Sequence, residues 1–191
     1  MDKLNIMIVG VGGQGTLLAS RILGNVALKK DYDVKVSEVH GMSQRGGSVV
    51  TYVKMGKNVY TPIVEKGDAD IILAFEQLEA IRWVDYLHSD GTIIVNEQRI
   101  NPMPVIIGKA KYPEDIITKI KNCCKNVVSL DALSVAKNCG NIKAVNMVLI
   151  GIMARSMNIE KEIWLEAIRE TIPEKLLEVN IKAFEEGYNY N

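Results

Sequence analysis

A buried strand that runs straight into a glycine loop and then a helix constrains this chain more than any other feature. Leu4 to Val9 is apolar except for Asn5, the pattern of a strand covered on both faces of a parallel sheet. Gly10-Val11-Gly12-Gly13-Gln14-Gly15 follows at once. From Thr16 the apolar period changes, and Leu17, Leu18, Ile22 and Val26 mark one side of a helix reaching about Lys30. Val34 to Val39 then alternates like a second strand, so the opening reads as a βαβ unit with a right-handed crossover. The expected class is α/β: a Rossmann-like three-layer domain with a mostly parallel sheet.

The remaining pattern fits that class. His40 to Gly47 is too polar and glycine-rich for core, and Ser48 to Met55 returns to strand character. Gly56-Lys57-Asn58 suggests a hairpin turn into a short strand at Val59–Thr61, closed by Pro62. Strands are expected at Ala69–Ala74, Gly91–Val95 and Asn126–Leu130, with a helix at Glu76–Leu87 and a proline-punctuated loop at Asn101–Pro104. Pro113 suits the first turn of a helix over Glu114–Cys124, and Asp131 caps Ala132–Asn138, which Gly140 ends. Ala144–Met157 is apolar enough to be buried on most faces, and amphipathic helices at Glu162–Thr171 and Glu174–Gly187 complete a helical C-terminal end. With no linker or repeat, residues 1–191 read as one domain.

Composition narrows the function by exclusion. Twenty-three basic residues balance twenty-three acidic ones, which gives no electrostatic footprint for nucleic acid. Apolar runs reach about seven residues, short of the ~20 that cross a bilayer, so no membrane is expected. The N-terminus lacks a signal-peptide layout, and cytoplasmic residence is the default. Cys123, Cys124 and Cys139 are too few and badly spaced for an iron–sulfur cluster, and His40 and His88 are the only histidines. The chain is expected to bring no metal of its own.

Two loops carry the candidate chemistry. Gly10, Gly12 and Gly15 have the dinucleotide-loop spacing, with Gly13 as an extra glycine: a tight turn, close backbone approach and close helix packing. The helix starting at Thr16 presents free N–H groups and the positive end of its dipole, a site for phosphate. A glycine turn that is merely tight and binds nothing is the alternative. The second loop, Ser43-Gln44-Arg45-Gly46-Gly47-Ser48, follows a strand and should reach the same sheet edge as the first. Arg45 could clamp a phosphate or carboxylate with two N–H groups, or it could tether its own loop to an internal acid. Glu38 stands where a nicotinamide-binding domain places its ribose acid, but it could equally pair with a neighbour. His40 reads as structural or partner-facing rather than as an acid–base group. Asn146 needs a partner if buried: one of the loops, or its own helix.

Gly10-Val11-Gly12-Gly13-Gln14-Gly15 together with Ser43-Gln44-Arg45-Gly46-Gly47-Ser48 resembles the gamma domain of 2-oxoacid:ferredoxin oxidoreductases, over nearly the whole chain and including the helix around Asn146. Within that family, His40-Gly41-Met42-Ser43-Gln44-Arg45-Gly46-Gly47 on a free-standing chain of this length is most similar to the beta subunits of the indolepyruvate-type enzymes. The resemblance implies a large alpha subunit carrying thiamine diphosphate and iron–sulfur clusters. It also implies oxidative decarboxylation of an arylpyruvate to an acyl-coenzyme A, with electrons passing to ferredoxin. This chain itself lacks a thiamine diphosphate signature and a cysteine array (Gly67-Asp68-Ala69 is only a near miss). Gly10, Gly12, Gly13, Gln14, Gly15, Thr16, Ser43, Gln44, Arg45, Gly46, Gly47 and Asn146 are carried over as candidates for binding coenzyme A. None is carried over as an acid–base catalyst.

Overall fold

The computed structural model describes residues 3–41 and 46–190. Six strands form one sheet in the order β2-β3-β1-β4-β5-β6, where β1 is Lys3–Val11, β2 Asp33–His40, β3 Ser48–Gly56, β4 Ala69–Ala74, β5 Leu87–Asn96 and β6 Asn126–Leu130. β1, β4, β5 and β6 pair parallel, whereas β3 runs antiparallel to both β1 and β2. The first unit therefore differs from a simple βαβ. Helix α1, Thr16–Lys29, carries the chain past the position beside β1, and β3 fills the gap in the opposite direction.

Alternation along the strands builds a core on each side of the sheet. Ile6, Ile8, Val53, Met55, Ile71, Leu73 and Ile94 face α1 and the C-terminal helices. Met7, Val9, Val50, Ile72, Ala74, Ile93 and Val95 face α2, Gln77–Trp83, and α4, Ile116–Cys123. A one-residue slip would move each set to the other face, so the two cores fix the register. Between α2 and α4, α3 spans Met103–Ile106. After β6 come α5, Ala132–Asn138, and α6, Val145–Ser156, then α7, Lys161–Thr171, and α8, Glu174–Tyr188. Every residue of α6 from Asn146 to Ala154 is buried, as its all-round apolar sequence requires. It meets α8 where Gly151 lies on Phe184 and Gly187 lies on Val148, so closely that a Cβ on either glycine would strike the other backbone.

Four expectations are corrected. The 59–61 segment forms no strand, because β3 already has β2 on one side and β1 on the other and offers no free edge. The helix expected over Glu76–Leu87 stops at Trp83, and a 3-10 turn at Val84–Tyr86 leads into β5, which starts at Leu87 rather than Gly91. Asn101–Pro104 is only partly loop: Pro102 caps the short helix α3, which starts at Met103 with Pro104 in its first turn. Pro113 lies ahead of α4, whose first residue is Ile116 after a left-handed Asp115. No helix among the described residues is long and apolar enough to cross a membrane.

Candidate functional site

The two glycine loops meet at the C-terminal edge of the parallel strands. Val11 and Ser48 are register partners at the end of the β1–β3 ladder, and beyond them the Gly12 N–H donates to the Gly47 carbonyl at 3.0 Å. The second loop is closed by the Gly41 N–H donating to the Ser48 carbonyl at 2.8 Å. It is thus the tip of the β2–β3 hairpin, and the antiparallel insertion of β3 is what delivers it to the mouth. Ser43, Gln44 and Arg45 lie outside the described residues; Gly46, at φ +71°, and Gly47 lie within them.

In the first loop the residues divide by role. Gly13 and Gly15 hold left-handed backbone, φ +100° and +87°, where a side chain would be strained. Gly10 lies inside β1, with Phe75 and Gln14 too close for a Cβ. Gln14 turns back toward the sheet: its Oε1 accepts from the Val11 N–H at 2.9 Å, and its Nε2 donates to the Phe75 carbonyl at 2.9 Å and to Gln98 at 3.3 Å. It therefore laces β1 to the ends of β4 and β5 rather than pointing out of the mouth. Thr16 begins α1 with Gly15 as N-cap, and no side chain caps the first turn. The helix end is left as an uncapped donor cluster with its dipole facing the mouth. Asn146, buried in the first turn of α6, closes the back: its Oδ1 accepts from the Met147 N–H at 2.9 Å, and its Nδ2 lies 2.8 Å from where a Gly15 Cβ would stand. The bond within its own helix is made by the oxygen, while the nitrogen stands close against Gly15.

Glu38 is already engaged. Its Oε2 accepts from Thr51 at 2.8 Å and from Thr16 at 3.3 Å, and its Oε1 lies 2.7 Å from His40 Nε2. The carboxylate thus ties β2 to β3 and to the start of α1, with the exposed His40 imidazole against its other oxygen, the pairing with neighbours rather than the ribose contact.

A second acid group went unnoticed in the sequence. Beside Gly46–Ser48, a cleft of ≈ 260 Å³ runs between Glu76 and Glu79 and the Ile100–Ile106 segment. Glu76 caps α2 by accepting from the Glu79 N–H at 2.9 Å, and it also accepts from the Ile100 N–H and the Tyr112 hydroxyl. Glu79 accepts from Ser48 at 2.5 Å and pairs with Arg82 at 2.6 Å. Burial raises the Glu79 carboxyl above its ordinary range, outweighing the opposing pull of Ser48 and Arg82. Burial and the Glu76 hydrogen bond likewise raise the Tyr112 hydroxyl. The available signal was the Glu-x-x-Glu spacing directly after a buried strand, a helix-start pattern in which the first Glu is the cap. Among the described residues no group of three or more His, Cys, Asp or Glu could hold a metal ion.

The arrangement can hold an anion by backbone amides and shield it from water on the Asn146 side. Comparison with known proteins gives the family. The model of the pyruvate ferredoxin/flavodoxin oxidoreductase family matches residues 5–190. The indolepyruvate oxidoreductase subunit IorB of Thermococcus kodakarensis is 43% identical over 192 residues, covering 98% of this chain and 95% of that one. The gamma subunit of a keto/oxoacid ferredoxin oxidoreductase from Geobacter sulfurreducens has the same fold, with TM-score 0.75 at 24% identity over 97% of this chain and 96% of that chain. So does 2-oxoglutarate:ferredoxin oxidoreductase from Magnetococcus marinus, a structure with 2-oxoglutarate, coenzyme A and succinyl-CoA bound, with TM-score 0.73 at 18% identity over 98% of this chain and 31% of that longer chain. The chain belongs to the pyruvate ferredoxin/flavodoxin oxidoreductase family, in the branch of the indolepyruvate oxidoreductase IorB subunits.

Proposed function

We propose that this chain is the cofactor-free subunit of a cytoplasmic indolepyruvate:ferredoxin oxidoreductase, in which its glycine mouth holds coenzyme A phosphates and helps close the partner's active site. Thiamine diphosphate and iron–sulfur clusters belong to the large alpha subunit, which supplies the decarboxylation and passes electrons to ferredoxin. The observation that carries this reading is the Gly12–Gly47 hydrogen bond, which joins both glycine loops into one mouth over the uncapped start of α1. An anion seated there meets backbone N–H groups and a helix dipole, and Arg45 belongs by sequence to the second loop. Holding the acceptor thiol's carrier beside the partner's reaction centre raises its effective concentration, a recognised source of rate. The bound coenzyme A in the Magnetococcus enzyme is consistent with such a ligand class in this fold.

Purified alone, the chain should not oxidise an arylpyruvate, and adding the large subunit should restore oxidation. Arg45→Ala in the complex should raise KM for coenzyme A by roughly tenfold with kcat little changed, the loss of a charge-assisted contact. An unchanged KM would return Arg45 to a loop-tethering role. A nicotinamide dehydrogenase is the rival reading, and Glu38 was its one support; that carboxylate is now occupied by Thr16, Thr51 and His40. Hydride transfer to NAD by the isolated chain would reverse the choice.

A further inference from the structure

Cys123 and Cys124 are consecutive in the chain, yet their sulfurs lie 3.7 Å apart. Neighbouring residues of a helix do not face each other, and neighbouring residues of a strand point to opposite faces. This pair escapes both rules because the backbone changes conformation between them. Cys123 is the last residue of α4, and Cys124 follows in extended form at φ −117° and ψ 141°, held by its N–H donating to the Ile120 carbonyl at 2.9 Å. Two residues later β6 begins and pairs with β5, so both sulfurs are fixed between packed elements. They line a hollow of ≈ 170 Å³ with Val84, Leu87 and His88, at the N-terminal ends of β5 and β6 and across the sheet from the glycine mouth.

The charged groups around the hollow are matched to one another: Lys125 pairs with Asp90 at 2.7 Å, Lys66 with Asp85 at 3.4 Å, and His88 Nδ1 accepts from the Asp90 N–H at 3.2 Å. The thiols meet each other and the Ile120 carbonyl, which Cys123 Sγ approaches to 3.4 Å, and such S–H contacts are weak and easily displaced. Cys123 is exposed and Cys124 half-buried, so a small molecule reaches both. A direct disulfide does not suit them. Adjacent Cα atoms stand about 3.8 Å apart across a trans peptide, closer than the roughly 4.4 Å at which ordinary disulfides begin. One atom inserted between the sulfurs does fit. With bonds of about 2.3 Å, the length of a zinc–thiolate bond, a bent centre near the tetrahedral angle spans about 3.8 Å and a linear one about 4.6 Å. The observed separation is that of the bent centre.

Charge and ligand count decide which bent centre. A dication such as zinc needs both thiols ionised and further protein ligands. Burial and the neighbouring thiol instead push the Cys124 thiol up to about 11, and among the described residues no third His, Cys, Asp or Glu completes a metal site. A trivalent arsenic centre takes thiols that keep their protons, and two sulfurs beside its own substituent complete it. The geometry points to a site for trivalent arsenic oxo compounds at Cys123 and Cys124, with both sulfurs clamping one arsenic atom. For an organic arsenoxide, two S–H bonds and the arsenic–oxygen bond break and two arsenic–sulfur bonds form. The oxygen leaves as water with both thiol protons, arsenic stays trivalent, and no oxidant is consumed. The site stands independently of the function proposed above.

The test is intact-mass spectrometry of the reduced full chain treated with equimolar phenylarsine oxide, with far-UV circular dichroism as the folding check. The chain should gain the mass of one arsenical less one water, keep it against excess monothiol and surrender it to a free vicinal dithiol. Cys123→Ser and Cys124→Ser should each hold the arsenical roughly a hundredfold or more weakly, because the second bond is no longer intramolecular. Cys139→Ala, which removes the buried third cysteine, should hold it as the unaltered chain does. The site is overturned if the unaltered chain forms no monothiol-resistant adduct, or if the folded serine variants keep theirs equally well. It is overturned too if equimolar zinc prevents the adduct, since the pair would then belong to a dication.

Discussion

Gly15 answers to two demands at once: its backbone is left-handed, and Asn146 Nδ2 stands where its Cβ would be. Gly15→Ala should therefore cost about 1 kcal/mol for the backbone alone, with a further cost for the collision. Adding Asn146→Ala should recover the collision and leave the backbone cost, a coupling above about 0.5 kcal/mol in a double-mutant cycle of denaturant midpoints. Strictly additive losses would mean that the two residues do not meet. Glu79 gives the second prediction at this scale. Its folded carboxyl holds a proton more tightly than the unfolded chain's, so the stability it contributes is complete below the ordinary value of 4.5 and is lost as pH rises through the raised folded value. Glu79→Gln cannot titrate, and its stability, from chemical denaturation across that window, should fall less with pH than that of the parent chain. An equal fall would assign the dependence to another group. Of the two positions only Gly15 was legible, because a glycine at the end of a strand announces its own backbone. Glu79 sits in a stretch that reads as a half-solvated helix, and its hydroxyl partner Ser48 is 31 residues away in sequence.

Elements were legible where local pattern and final environment agree. Ala69–Ala74, Asn126–Leu130 and Ala132–Asn138 have the same limits in sequence and structure, because each strand is a short, mostly apolar run and the helix has a capping Asp and a closing Gly. The absent hairpin partner at 59–61 shows the opposite case. Its turn signal is real, but strand pairing needs a free neighbour, and which edges are free is decided by β1 and β2 from elsewhere in the chain. The α6–α8 contact was equally invisible, although both helices were expected: Gly151 and Gly187 lie in different helices far apart in the chain, and nothing local pairs them. Each supplies the gap into which the other helix's backbone fits. Gly187→Ala or Gly151→Ala should lower stability by about 3 kcal/mol or more, seen as a drop in Tm, since backbone rather than a flexible side chain must move. A drop of only a few tenths would show that the helices can slide apart freely.

Across the whole molecule the two cores share a single sheet, and its middle strands are the part enclosed by both. Amides of Ile6–Val9 and Ile71–Ala74 should exchange with solvent most slowly in hydrogen-exchange mass spectrometry, near the limit set by global unfolding, while edge strands β2 and β6 open earlier. Equal protection from centre to edge would contradict that layering. The antiparallel course of β3 has a consequence of another kind. Because β3 pairs antiparallel with β2 as well as with β1, residues can be added or removed between His40 and Ser48 without moving any of the nine β1–β3 partner pairs. The binding edge is thereby uncoupled from the scaffold: one backbone can carry tips of many lengths and chemistries, and selection on substrate or acceptor can act there without renegotiating how the chain folds.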